Sequence, residues 1–114
     1  MTLRDDLWRE DKRYAILFDN LLRPITTATN LVATVGTANT AVLPETIGRK
    51  TAVLVNDSNN KIYLRLGNVA TTGMGVTLMP NGGAYEINWQ NMFTGTISAM
   101  NNTGWSPLSV MEGW

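Results

Sequence analysis

The charged side chains of this chain are concentrated in its first fifth. Of the 18 charged residues, nine basic and nine acidic, ten lie within residues 1–23 of the 114. The remaining 91 residues are rich in Thr, Asn, Gly and small apolar side chains, and their apolar residues recur with a different period. Because a period of 3.6 is typical of helices and a period of two is typical of strands, this division predicts a helical arm joined to a β-module. Such a chain is suited to attachment and poorly equipped for chemistry.

Residues 1–23 are predicted to form an amphipathic helix. Thr2 suits the N-cap position, and Asp5 and Asp6 follow in the first turn, where the helix dipole favours carboxylates. Pro24 ends the helical pattern, because the residue before a proline is biased away from helix. Apolar side chains at close to helical spacing form one stripe, and we take them as candidates for an interface: Leu3, Leu7, Tyr14, Leu17, Phe18 and Leu21.

Two arrangements of this helix stay open. The stripe resembles a heptad repeat in part, but Glu10 interrupts it, and three turns of imperfect repeat give a coiled coil little support. A helix docked on its own β-module, or on a neighbouring molecule, is the interpretation that the broken repeat favours. Residues 24–30, with the sequence PITTATN, are predicted to be a linker, since Thr and Asn compete with helical backbone hydrogen bonds.

From residue 31 onward, short apolar runs are separated by turn signals. Pro44 limits the run around it to an edge strand or a connection, because proline cannot donate to a β-ladder. The number and spacing of the runs predict a mainly β fold, either an antiparallel β-sandwich or a small jelly-roll-like barrel. The predicted organisation is therefore an N-terminal α-helical arm over 1–23, a linker over 24–30 and a β-sandwich module over 31–114.

Two runs give the most specific strand prediction. Residues 51–55 form a continuous apolar run, which is typical of a strand covered on both faces, and residues 61–66 alternate cleanly. Between them, residues 56–60 read Asn-Asp-Ser-Asn-Asn, a cluster of turn formers. The sequence therefore predicts a hairpin made of these two strands.

The chain contains no His and no Cys. This excludes Ser-His-Asp and Cys-His centres, disulfides and thiolate metal sites. The carboxylates of the β-module are interpreted as solvated or interface groups: Glu45, Asp57, Glu86 and Glu112. Basic residues that can pair with Glu86 or Glu112, or with a partner, are Arg49, Lys50 and Arg65. We therefore predict no catalytic, cofactor-binding or metal-binding residue and no enzymatic activity.

The charge balance and the apolar runs bear on the kinds of partner. The formal net charge is zero, which argues against nonspecific binding to nucleic acid. No apolar run approaches the ~20 residues of a membrane-spanning helix. The charged start lacks the apolar segment of a signal peptide. We expect neither a nucleic-acid nor a membrane partner, and synthesis in a cytoplasm.

Four tryptophans are interpreted first as packing groups in the core or at a subunit interface: Trp8, Trp89, Trp105 and Trp114. Trp105 has a second interpretation as a carbohydrate contact, because it follows the turn Asn-Asn-Thr-Gly. Trp114 is expected to pack on its own module or on a neighbour, since a terminal aromatic side chain gains nothing in water. Trp105 and Trp114 therefore join the interface candidates.

Several short motifs follow one another along the β-module. They are LPETIGRKTAVLVND at 43–57, IYLRLG at 62–67, GVTLMPNGG at 75–83, FTGTISA at 93–99 and VME at 110–112. Their order and spacing resemble those of small virion structural proteins of tailed phages, and the similarity leaves out the predicted helix. The shared pattern is one of strands and turns, so it carries over no functional residue.

The resemblance implies a virion structural protein with a β-sandwich that acts as an oligomer. We expect a bacteriophage capsid decoration (cement) protein, a homotrimer, whose arm and module contact the major capsid protein or other virion proteins and stabilise the head. Two alternatives stay open: a host-glycan-binding fibre or receptor-binding module, and a tail or baseplate connector. The expected location is the virion, after synthesis in the host bacterial cytoplasm.

Overall fold

Eight β-strands make up the described part of the molecule. The structure is a computed structural model that describes residues 24–67, 70 and 73–114. In chain order the strands are β1 (Ala28–Val35), β2 (Thr40–Leu43), β3 (Thr51–Asn56), β4 (Ile62–Leu66), β5 (Val76–Leu78), β6 (Ala84–Ile87), β7 (Ile97–Met100) and β8 (Ser106–Gly113). The predicted helical arm lies outside the described residues, and so do its six candidates: Leu3, Leu7, Tyr14, Leu17, Phe18 and Leu21.

The strands form two four-stranded antiparallel sheets. Sheet A has the order β1-β8-β3-β6, and sheet B has the order β2-β7-β4-β5. Strands from opposite ends of the chain pair with each other: β1 with β8, β2 with β7, β3 with β6 and β4 with β5. This wiring is that of an eight-stranded jelly roll. The prediction of a mainly β fold with two antiparallel sheets is confirmed.

The predicted hairpin between residues 51–55 and 61–66 is wrong. Both segments are strands, but β3 belongs to sheet A and β4 to sheet B, so the connection between them crosses the sandwich. Asn56 holds this crossing: its Nδ2 donates to the carbonyl oxygens of Asn60 at 2.7 Å and Leu78 at 3.0 Å. Its Oδ1 accepts from the backbone nitrogen of Ser58 at 3.0 Å. Alternation identifies strands but not the sheet that each one joins, because a crossing uses the same turn residues as a hairpin.

The core lies between the two sheets and follows alternation along most strands; β2 and β7 depart from it with consecutive buried residues. The largest buried apolar side chains are Val35, Leu43, Leu54, Ile62, Leu64, Leu78, Ile87, Ile97 and Leu108. Burial of this apolar surface is the main driving force for packing sheet A on sheet B. In β3 the alternation leaves Val53 and Val55 half-buried on the outer side, so the described residues cover only one face of this strand.

The first strand begins earlier than expected. β1 starts at Ala28, inside the predicted linker, and pairs with β8 along its whole length. The backbone nitrogens of Thr26 and Thr27 both donate to the carbonyl oxygen of Trp114, at 2.9 and 3.0 Å. The nitrogen of Trp114 donates in turn to the Thr27 oxygen at 2.9 Å. The second half of the predicted linker is therefore part of the sandwich.

The connections divide between two ends of the sandwich. The residues 36–39, 57–61, 79–83 and 101–105 gather at one end, which we call the 101–105 end. Backbone hydrogen bonds join them there, from Asn81 to Ser58 at 2.9 Å and from Asn101 to Gly36 at 2.9 Å. The chain enters β1 and leaves β8 at the opposite end.

Candidate interaction surfaces

Arg49 and Glu112 form a buried ion pair that closes the end of the sandwich opposite the 101–105 end. Arg49 Nε lies 2.6 Å from Glu112 Oε2, and the side chains are 0% and 8% exposed. Arg49 Nη1 donates to the carbonyl oxygens of Phe93 at 2.8 Å and Gly95 at 3.1 Å. Its Nη2 donates to the Pro44 oxygen at 2.7 Å. The guanidinium thus ties two connections to β8.

This ion pair is a structural clip, by which we mean that its two charges bind only to groups of the module and hold its connections to β8. The second oxygen of Glu112 accepts from Thr46 Oγ1 at 3.4 Å, so both carboxylate oxygens have partners. Of the partners that the sequence left open for Arg49, namely Glu86, Glu112 or another molecule, the structure shows Glu112. The interpretation of Glu112 as a solvated or interface carboxylate is wrong, because the inward phase of β8 places it inside the sandwich.

The other carboxylates of the described residues lie in separate places. Glu45 is exposed in the connection after β2, and Asp57 is exposed in the turn after β3. Glu86 is exposed on the outer side of β6, as its position in the alternation predicts. Within residues 24–67, 70 and 73–114, no group of three or more His, Cys, Asp or Glu residues could hold a metal ion.

The tryptophans of the described residues differ in burial. Trp105 is 70% exposed just before β8, at the 101–105 end, and Trp89 is 64% exposed just after β6. Trp114 is half-buried and continues the ladder with Thr27. The interface roles of Trp105 and Trp114 stay predictions.

A polar cleft lies at the 101–105 end on the side of sheet B. It has a volume of about 290 Å³ and is lined by Asn59, Asn60, Lys61, Tyr63, Pro80, Asn102 and Thr103. Asn102 Nδ2 donates to the Tyr63 hydroxyl at 3.5 Å. Trp105 is not among the lining residues. The sequence analysis did not identify Tyr63 as a candidate binding residue. Its place in the alternation of β4 puts it on the outer face, and this was the sign that could have identified it.

The outer face of sheet A is almost uncharged, and the described residues leave most of it without a cover. The register of the four strands places these side chains on it: Asn30, Val32, Thr34, Thr51, Val53, Val55, Ala84, Glu86, Pro107, Ser109 and Met111. Glu86, on the edge strand β6, is the one charged residue of that set. Val32 is 67% exposed. A solvated face of an antiparallel sheet is normally polar, so this face has the composition of a contact surface.

A groove runs along the middle of this face. Its volume is about 390 Å³, and its walls are formed by β1, β8 and β3 through Asn30, Leu31, Val32, Val53, Val55, Ser109, Val110 and Met111. None of these side chains is charged, so the groove would accept an apolar partner.

The outer face of sheet B is covered in part by the chain itself. Ser98 on β7 is fully buried, and its Oγ donates to the Gly67 oxygen at 2.9 Å. The nitrogen of Ala70, which is also buried, donates to Asn39 Oδ1 at 2.6 Å. The connection after β4 therefore crosses sheet B towards the start of β2. The two outer faces differ, because the described residues supply a cover for one and not for the other.

Comparison of this chain with models of protein families, with curated proteins and with solved structures finds no match. In the part of the chain that the structure describes, no helix is long and apolar enough to cross a membrane.

Proposed function

We propose that this chain is a non-enzymatic structural protein of a tailed-phage particle, a capsid decoration protein that assembles as a homotrimer on the head. The observation that carries the proposal is the nearly uncharged outer face of sheet A, which the described residues leave uncovered. A rigid module that combines such a face with an amphipathic segment is suited to binding a larger assembly, and the buried charges Arg49 and Glu112 are paired within the module.

The motifs that resemble tailed-phage virion proteins support the proposal through the roles of their residues. Arg49 and Glu112, from the first and last motifs, form the buried ion pair. Asn56 holds the crossing between the sheets. Gly83 ends a tight turn, and a Cβ at this position would lie 2.5 Å from backbone atoms of Met79, so only glycine fits there. The shared residues therefore build the frame, as expected for a resemblance between structural proteins.

Deletion of residues 1–23 tests the attachment role. We expect the truncated protein to keep a folded module and to lose binding to heads that lack this protein, measured by co-sedimentation. A circular dichroism spectrum of the truncated protein checks that the β-module remains. Full-length protein with Lys61→Ala, altered at the 101–105 end, is the control and should bind normally. Binding of the truncated protein at full affinity would contradict the attachment role of the arm.

The copy number of the chain in purified particles separates the possible locations. Copies comparable in number to the major capsid protein would support head decoration. A number far below that of the capsid protein would indicate the neck, tail or fibre, and would favour the connector alternative.

The cleft at the 101–105 end favours a second candidate, a module that binds host glycans. Tyr63 supplies an aromatic surface beside side-chain amides and a lysine, which together can stack on and hydrogen-bond to a sugar. On a glycan array we expect Tyr63→Ala to lose binding and Glu45→Ala, at an exposed position at the opposite end of the sandwich, to keep it. If Trp105→Ala lost glycan binding and Tyr63→Ala kept it, the binding site would lie around the exposed Trp105 and not in the cleft. An array without signal for the unmodified protein counts against this candidate.

A further inference from the structure

We infer that residues 1–23 of the same chain lie across the outer face of sheet A, with their apolar stripe in the groove between β1, β8 and β3. This goes beyond the proposed attachment to a particle, because it assigns the arm a site on its own module. It holds for the isolated protein and does not depend on which particle the protein joins.

The first argument is that the groove lacks a cover among the described residues. The continuous apolar run 51–55 is typical of a strand covered on both faces, yet Val53 and Val55 are only half-buried. Val32 on the edge strand β1, on the other side of β8, is mostly exposed. Burying apolar surface contributes about 25 cal/mol per Å², so a segment that fills the groove would be stabilised there.

The second argument is the direction from which the chain reaches β1. Glu112 points into the sandwich, so the next residue, Gly113, has its missing side chain on the outer face of sheet A. A Cβ added at Gly113 would lie 2.8 Å from Ile25 Cγ2 and 3.0 Å from Thr51 Cγ2. Ile25 therefore already sits on the outer face, beside the start of β3. Residues 1–23 are therefore joined to the module at the outer face of sheet A, which the described residues leave uncovered.

The third argument is length and chemistry. A helix over most of residues 1–23 would be about 30 Å long at 1.5 Å per residue. The eight residues of β1 and of β8 span roughly 26 Å at 3.3 Å per residue. With the stripe in the groove, the charged side of such a helix would face water: Arg4, Arg9, Lys12, Arg13 and Asp19. A second copy of the module would bring the same uncharged face but would leave each arm's stripe without a site.

Hydrogen exchange of the isolated full-length protein tests this placement. We expect amides of residues 1–23 to exchange slowly in the unmodified protein and roughly tenfold or more faster in Val55→Asp, because a buried carboxylate in the groove opposes docking. Val32→Asp places the same charge at an exposed position of the face and should give the same increase without risk to folding. Thr77→Asp, on the outer side of sheet B, is the matched control and should leave residues 1–23 unchanged.

Three outcomes would overturn the inference. If the amides of residues 1–23 already exchange fast in the unmodified protein, these residues have no site on the module. Protection that persists in both Val55→Asp and Val32→Asp would place the arm elsewhere. Protection that is lost on dilution, together with a mass larger than one chain by light scattering, would assign the face to another copy. Slow exchange of β3 and β8 amides shows in each variant that the sandwich is folded.

Discussion

At the scale of single residues, Arg49 and Glu112 show how a charge can be confined to a structural role. They are 63 positions apart in the chain, and their ion pair joins the start of β3 to the end of β8. Sequence analysis placed Arg49 opposite Glu86 or Glu112 and did not choose, because the choice depends on which strand pairs with β3 and in which register. The register Ala52↔Glu112 decides it, since it puts the carboxylate on the inner side of sheet A next to the guanidinium.

Removing one member of this pair should be costly. Glu112→Ala leaves a buried guanidinium without its counter-charge, and we expect a loss of about 3 kcal/mol of unfolding free energy. In thermal denaturation this corresponds to a decrease in Tm of roughly 10 °C. Glu45→Ala, which removes an exposed carboxylate, should change stability by less than about 0.5 kcal/mol.

A double variant separates the pair from the packing around it. Arg49→Met combined with Glu112→Leu removes both charges, and it should recover part of the stability lost in Glu112→Ala. If Glu112→Ala alone is as stable as the unmodified protein, the ion pair is not a structural clip.

At the scale of elements, the strands were more predictable than their partners. The alternation in 61–66 identified a strand correctly, with Ile62 and Leu64 buried and Leu66 exposed at its end, because burial on one face imposes a period of two. The partner of each strand depends on contacts between distant parts of the chain, such as β1 with β8. The turn 56–60 was misread for this reason. A buried Asn that bonds across to Leu78 holds a crossing between sheets, and its composition is the same as that of a hairpin turn.

The crossing after β3 provides a prediction at this scale. Asn56→Ala removes a fully buried amide that donates to the Leu78 oxygen and accepts from the Ser58 nitrogen, whereas the Asn60 oxygen keeps its hydrogen bond from Ser58 Oγ. We expect a loss of about 2–3 kcal/mol of unfolding free energy, measured by urea denaturation. Asn59→Ala, at an exposed position of the same turn, should have almost no effect. Equal stability of the two variants would mean that the turn backbone alone sets the crossing.

At the scale of the whole molecule, the two outer faces of the sandwich are unequal. The connection after β4 covers part of sheet B through Ser98 and Ala70, whereas sheet A presents Val32, Val53 and Met111. The sequence indicated that the outer face of sheet A differs from a solvated face, because residues 51–55 lack the alternation of polar and apolar side chains that a solvated strand has. It could not identify the cover, since a face is assembled from strands that are far apart in the chain. The polar cleft at Tyr63 was missed for the same reason.

The position of β1 at the edge of sheet A has a consequence for solubility. Its outer side carries backbone N–H and C=O groups that no strand of the described residues pairs, and the sequence ATNLVATV has neither a charge nor a proline. The edges of sheet B are shorter: β5 has three residues, and β2 has four and a register shift between Ala41 and Leu43. A long, uncharged edge is a template for strand addition by another molecule. In a concentrated solution, aggregation would therefore begin along β1, and a lysine at Thr34, which is exposed and lies outside the groove, would be a small change that protects the edge.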